Sequence, residues 1–362
     1  MNLLLDRDTF RPATFKRDKD VCVMCGRGHA DGVKLDAHHI MERRLFTAPS
    51  QFGGYYLENG ATLCDDGTPN SCHFKAEMTL ISPEELREKI GIKKAILPEH
   101  LYPDQRYTKW GDEVLPSGKR IRGELFNDES VQKVLEMGGV LNLYSPYVKY
   151  PRTYHLSFSP GFSSDDRVMK NHDCFVGKNV IVTAKMDGEN TTLYHDYVHA
   201  RSIDSRTDVT RHWVQNFHAG MAHEIPEGWR VCAENLYAAH TIKYSKLPSY
   251  LLGISVWNEK NVCLSWDETI QWLDLLGIKP LTAYCPPLYV GPWNEKIIRD
   301  LYRSDINGEP CEGFVVRLTD SFHYSQFRYS VAKYVDGSFR RKHNENMDDS
   351  RNKPIERNQV LK

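Results

Sequence analysis

Two groups of residues in this chain have the types and spacing to do chemistry. The first is Lys185-Met186-Asp187-Gly188-Glu189-Asn190, directly after the apolar run VIVTA. A strand that delivers a lysine to a turn can present its amine as a nucleophile, provided the ammonium, ordinarily titrating near ~10.4, first loses its proton. Adjacent positive charge or desolvation would bring that about. The second group lies earlier. Cys22-x-x-Cys25 is followed by Cys64 and Cys72, and Cys72 is joined to His73. Four thiolates in two pairs suit a structural tetrahedral Zn2+ site, which would hold together a region with little core of its own. Between the pairs stand His38, His39 and Asn59.

The elements that must position these groups differ along the chain. Residues 1–80 are rich in Cys, His and Gly and show little helical periodicity. Ser82-Pro83-Glu84-Glu85 then opens a helix, with Ser82 as N-cap and Glu85 closing a capping box. Residues 95–125, with scattered Pro and Gly, read as an extended connector, and a short helix is expected at 128–137. From about Tyr147 the texture becomes β-rich. VGKNVIVTAK, TTLYH, GWRVCAENL, YLLGISVW and EGFVVRL carry branched and aromatic residues, and amphipathic helical segments lie between them. The last residues are polar and expected to be disordered.

Bulk properties narrow the classes. The chain has 362 residues and a formal net charge of −1. Lys plus Arg number 21 against 22 Asp plus Glu in residues 1–150, and 26 against 26 in the remainder. Neither half is basic in bulk, so any nucleic-acid site must be built from a few placed cations. No run of ~18 apolar residues is present, so no membrane helix or membrane partner is expected. An odd cysteine count of nine argues against a secreted disulfide framework and for a reducing, cytoplasmic setting with metal.

Residues 20–77 resemble the HNH endonuclease family with a four-cysteine zinc knuckle. The shared elements are CxxC, Leu35-Asp36-Ala37-His38-His39, Asn59 ahead of Leu63-Cys64, and Cys72-His73. The seven residues between Cys64 and Cys72 depart from the usual spacing of two. The resemblance implies Zn2+ on Cys22, Cys25, Cys64 and Cys72, and a second metal on His38 and His73. It makes His39 the general base and Asn59 the residue that orients its loop. A module that only folds the region and touches nucleic acid is the alternative.

Residues 147–335 resemble the polynucleotide ligase and capping-enzyme superfamily, closest to the ATP-dependent, RNA ligase 2-like branch. Lys185-x-Asp187-Gly188 is followed in order by His199-Ala200-Arg201-Ser202, Ala233-Glu234-Asn235, Glu312-Gly313-Phe314 and Ala332-Lys333-Tyr334. The lead-in segment from Tyr150-Pro151-Arg152-Thr153-Tyr154-His155-Leu156, with Ser159-Pro160-Gly161, to Asp165-Asp166 and the presence of Asn190 favour the RNA branch. The resemblance implies ATP with Mg2+ (or Mn2+), and adenylylation of Lys185. Asp187 and Gly188 would complete the nucleotide turn. Arg201 would contact phosphate, Glu234 the ribose, Glu312 the divalent metal and Lys333 the α-phosphate, while Asn190 would position the acceptor end. Two departures stand out. No second basic residue flanks Lys333, leaving Arg340 or Arg341 to substitute. The adenine-stacking aromatic falls on Ile254, with Trp257 the aromatic present.

The expectation is therefore an α+β protein. Its ligase nucleotidyltransferase domain of antiparallel sheets with flanking helices (147–340) follows a small ββα-metal zinc domain (1–80) and a helical or extended connector (81–146). A polar tail (341–362) ends it. The expected activity joins 5′-phosphate and 3′-hydroxyl ends of nucleic acid, RNA or RNA/DNA nicks, through a lysyl-AMP intermediate. With only 29 residues after Lys333, substrate grip would fall to the N-terminal 146 residues, with Tyr107 and Trp110 of RYTKW available to stack on bases. The alternatives are an HNH-type metal-dependent nuclease with an accessory nucleotide-binding domain, and a non-catalytic protein that binds nucleic-acid ends.

Overall fold

The computed structural model describes residues 3–164, 166–205, 208–339 and 356–361. The chain forms two compact units, Met1–Val148 and Lys149–Lys362.

In the first unit, strands Leu35–His39 and Gly60–Cys64 form an antiparallel hairpin in which Leu35 faces Cys64 and His39 faces Gly60. Helix Cys72–Glu77 follows, its first turn capped by the Ser71 side chain. The capping box of Ser82 and Glu85 starts helix Pro83–Ile90, and Gly91 ends it in the left-handed conformation. One element escapes the periodicity, the helix Arg7–Arg17, which buries only Phe10 and Thr14 and contains Pro12. The stretch expected as an extended connector is folded. Arg106–Tyr107, Glu113–Val114 and Arg120–Ile121 make a three-stranded sheet, and Tyr107, Trp110, Leu115 and Ile121 are buried. Helix Glu129–Met137 follows, capped by Asp128.

The second unit is built on two sheets. The five-stranded sheet runs Tyr289–Pro292, Asn179–Ala184, Gly313–Leu318, Val331–Val335, Tyr154–His155. Its neighbours are antiparallel except the last pair. The six-stranded sheet has Leu251–Trp257, Arg230–Asn235 and Glu189–Tyr194 at its centre. Val180, Val182, Phe314 and Val316 from one sheet share an apolar core with Cys232, Trp257, Cys263 and Phe322 from the other. Side chains of this size each contribute about 1.5–3 kcal/mol when fully buried. The two-residue period of a strand then sends the intervening positions to the opposite face.

The expected polar tail is not uniformly so. Residues 340–355 lie outside the described set, but Asn358 is fully buried. Its side-chain amide donates to Leu236 O and Ala238 O, and its Oδ1 accepts from Tyr244 N at 2.7 Å. Val360 bridges to Leu247. An asparagine with every polar atom paired can be buried at the end of a hydrophilic sequence, which hydropathy cannot register.

Candidate functional site

Lys185 directly follows the strand Asn179–Ala184 of one sheet and Glu189 opens a strand of the other, so the turn between them crosses from sheet to sheet. The Lys185 amide donates to Gly313 O at 2.9 Å, and its Nζ lies 2.6 Å from Glu312 Oε2. Gly313 is required at this junction, since a Cβ there would stand 1.9 Å from Tyr334 O. Asp187 anchors the turn. Its Oδ2 accepts from Thr241 N and Ile242 N, each at 2.8 Å, and its own amide donates to the Tyr244 hydroxyl. Gly188 N donates to Glu234 Oε1 at 3.2 Å, and a Cβ on Gly188 would lie 2.6 Å from Asn235 O. Asn190 is the direct cross-strand partner of Glu234, and its Oδ1 is buried without a hydrogen-bond partner.

Thr183, Val315, Lys333 and His155 form a row across the five-stranded sheet, and the two-residue period continues that face to Lys185. Lys333 Nζ is 3.6 Å from Asp166 Oδ1. Arg201 is exposed, and its charge is among those acting on Lys333. The electrostatics divide the two amines. Burial works against the Lys185 ammonium, but Glu312 and Glu234 outweigh it and raise its pKa. Burial brings Lys333 down to about 8, with Lys185 and Arg201 adding to the fall and Asp166 opposing it. Burial pushes the Glu234 carboxyl up to about 7; Glu312 and Asp187 add to the rise while Lys185 opposes it.

Lys185, Asp187, Gly188, Asn190, Glu234, Glu312 and Lys333 thus gather around one sheet junction, with Arg201 at its margin. Trp257 does not join them, and its assignment as the adenine-stacking residue is corrected. It is 1% exposed, packed against Phe322 and Phe327 under the Arg230 guanidinium, with Nε1 donating to Ser255 Oγ. Trp257→Ala is expected to cost about 3–5 kcal/mol of stability. Trp257→Phe should leave the KM for ATP within about twofold, since hot-spot contacts of a stacking residue would cost more. A larger loss of ATP affinity in a stably folded Trp257→Phe chain would reinstate the stacking role. Asp165, Arg340 and Arg341 lie outside the described residues. The neighbours that sequence reasoning gave no role are His155, Asp166 and Tyr244. The first two belong to the lead-in segment, and only the parallel pairing with Val331–Val335 brings them to Lys333.

In the first unit the Sγ atoms of Cys22, Cys25, Cys64 and Cys72 all lie within 4.8 Å of one another, with Cys25 and Cys64 3.7 Å apart. Tetrahedral Zn2+ at about 2.3 Å from each sulfur requires a separation of about 3.8 Å, so the donor set fits that ion. Burial opposes the Cys25 thiolate, but the Arg27 side chain beside it leads the groups that bring its pKa down to about 6. The five other cysteines are free.

Next to the thiols, His38, His73 and Glu77 form a second cluster of donor atoms, and Asp36, Asp65 and His73 a third. Asn59 donates to Met41 O and Gly54 O and accepts from Met41 N, fixing the backbone just after His39. His39 stacks on Phe10 at 4.5 Å, and its Nε2 has no hydrogen-bond partner. Burial first, then Lys109, lowers the pKa of His39 to about 4, so the ring is neutral at ordinary pH, the form a general base needs. Lys109 is itself 4% exposed, 2.8 Å from Glu77 and 3.5 Å from Glu42. Tyr107 and Trp110 are 5% exposed, and Trp110 Nε1 donates to Glu77 O. The expectation that RYTKW offers rings to bases is corrected: Tyr107 packs with Met41, Leu45 and Leu101, and Trp110 with Phe126, Val131 and Leu135.

Residues 178–335 match the family described as RNA ligase. No curated protein matches the chain. Among solved structures it is similar to a Naegleria gruberi RNA ligase with PPi, at 16% identity over 68% of this chain and 79% of that one (TM-score 0.36). It is also similar to a variant of a Naegleria gruberi RNA ligase with ATP and Mn, at 18% identity over 48% and 54% (TM-score 0.36). A third is an archaeal ATP-dependent RNA ligase, at 13% identity over 56% and 50% (TM-score 0.36). The chain spans about half the length of the last two. The segment that carries Lys185, Glu234, Glu312 and Lys333 matches the RNA ligase family of enzymes.

Proposed function

We propose that this protein is an ATP-dependent RNA ligase that joins 5′-phosphate and 3′-hydroxyl ends through a lysyl-AMP intermediate on Lys185. The observation that carries the reading is the Lys185–Glu312 contact of 2.6 Å at a junction also lined by Glu234 and Lys333. Lys185, once neutral, attacks the α-phosphorus of ATP. A P–N bond forms, the bond to pyrophosphate breaks, and the leaving group takes the electron pair. Lys333 supplies positive charge where the transition state gains negative charge. Glu234 accepts from the ribose, and the unpartnered Asn190 Oδ1 faces the acceptor. Three carboxylates, Glu312, Glu234 and Asp187, act on one ammonium, an excess of negative charge that suits a divalent cation. Such an ion would be held by Glu312 and would neutralise phosphate charge. A 5′-phosphate oxygen then takes AMP from Lys185, the P–N bond breaking and its electron pair returning to the amine, and a 3′-hydroxyl displaces AMP from the adenylated 5′-phosphate. All steps are in-line transfers, so positioning and charge do the work.

The first unit would bind Zn2+ on its thiols and engage the nucleic acid. A second reading, a metal-dependent nuclease activity of that unit, is favoured by the neutral, unpartnered His39 Nε2 beside the His38, His73 and Glu77 donors. One assay separates them. The full chain with ATP and Mg2+ should seal a labelled RNA nick bearing 5′-phosphate and 3′-hydroxyl ends, and Lys333→Met should slow sealing by about 100-fold or more. Absence of sealed product, with cleavage that disappears in His39→Ala, would replace the ligase reading with the nuclease one.

A further inference from the structure

The strand that carries Lys333 offers no second basic side chain: Val331, Ala332, Tyr334 and Val335 surround it. Its ammonium is nonetheless held in place, and the holding groups come from the segment between residues 154 and 166. That segment runs along the strand. Leu156 N donates to Lys333 O at 2.8 Å and Gly161 N to Val335 O at 2.9 Å. Ser159 Oγ accepts from Val335 N at 2.9 Å and pairs with His155 Nδ1 at 2.9 Å. His155 lies opposite Lys333 in register and is 1% exposed.

The two oxygens of Asp166 are used differently. Oδ2 accepts from the Ser163 amide and from the Ser163 hydroxyl, both at 3.0 Å, which fixes the carboxylate. Oδ1 is left to face Lys333 Nζ and His155 Nε2, each at 3.6 Å. Glu312, which also acts on Lys333, is already engaged by Lys185. The Lys185–Glu312 and Lys333–Asp166 pairs are thereby kept separate. A Lys333 without Asp166 would turn toward Glu312 and compete with the nucleophile for it, because a buried ammonium seeks the nearest carboxylate.

We propose that Asp166, braced by Ser163 and His155, is the positioning residue for Lys333: it holds the ammonium over the site and keeps Glu312 for Lys185. The proposal rests on the ligase reading for its rate consequences, but its geometric content stands apart from any activity. Removing the carboxylate displaces the charge that Lys333 brings to the transition state and leaves the other nucleotide-contacting side chains in place, so the effect falls mainly on turnover. In the full-length chain, Asp166→Asn should lower kcat for formation of the Lys185–AMP adduct by about 10- to 100-fold. The KM for ATP should stay within about twofold. Asp166→Glu should recover much of the loss. Because Asp166 acts through Lys333, the double variant Asp166→Asn/Lys333→Met should be no slower than Lys333→Met alone.

A second readout needs no turnover. In nucleotide-free protein labelled at lysine Cε, the Lys333 resonance, assigned by its absence in Lys333→Met, should shift in Asp166→Asn and return in Asp166→Glu. Unchanged kcat in Asp166→Asn, multiplicative losses in the double variant, or an unmoved Lys333 resonance would each overturn the proposal. Should the wild-type chain form no AMP adduct at all, the ligase reading fails, and the resonance alone decides whether Asp166 holds Lys333.

Discussion

A Lys185→Ala chain incubated with α-labelled ATP and Mg2+ is expected to carry no covalent AMP, while the wild-type chain gains the mass of one AMP. The expected loss is complete because the nucleophile itself is removed, and neither Lys333 nor Arg201 can stand in for it at the same atom. Lys185→Arg should fail equally. A guanidinium keeps the charge opposite Glu312 but does not give up its proton in the accessible range. The pH dependence follows from the two amines. Lys185 has its pKa raised, since the carboxylates Glu312 and Glu234 outweigh burial, so its reactive neutral fraction grows with pH, roughly tenfold per unit. Lys333, brought down to about 8 by burial and nearby positive charge, must keep its proton to neutralise phosphate. The kcat/KM for ATP, which reports the free enzyme, should therefore climb up to about pH 8 and level beyond it. Label retained on a Lys185→Ala chain would take the adduct off Lys185, and a rate falling from pH 6 to 8 would rule out a nucleophile that must first lose its proton.

Metal removal should have the other large effect. The purified chain is expected to contain about one equivalent of tightly bound zinc, lost in Cys64→Ser. Structural zinc sites of this kind supply about 10 kcal/mol or more of apparent folding free energy at neutral pH. That exceeds what the small core of Leu35, Ile40, Leu63 and Leu86 around the thiols can spare. Chelation should accordingly unfold the first unit, seen as proteolytic sensitivity within residues 20–77. Metal analysis finding less than about half an equivalent, with that segment still protected, would leave the cysteines as packed thiols.

What the sequence revealed, and what it hid, follows from which interactions are local. The strands around Lys185 announce themselves because a two-residue period and branched residues are properties of the segment itself. The helix after Ser82 does so through its capping box. Arg7–Arg17 was hidden because it packs a single large apolar side chain and carries a proline. The fate of Trp257 depends on which sheet face its register selects, and either face is compatible with YLLGISVW. Lys109 reads as a solvated connector lysine until the fold buries it between Glu42 and Glu77. Asp166 is a like case, since nothing within ten residues of it indicates that a strand more than 160 residues later will lie alongside. Residues whose motifs lie on or beside the strands are marked by their own segment, and those recruited by tertiary pairing are not.

The burial of Asn358 has a consequence for how the site comes into being. Tyr244, whose hydroxyl receives the Asp187 amide, has its own amide and carbonyl held by Asn358 and Gln359. On a ribosome, Lys185, Glu312 and Lys333 are all made before Asn358 appears. The support behind the turn after Lys185 is therefore made after all three of these residues, and a chain clipped before Asn358 carries them while lacking the contacts that set the turn.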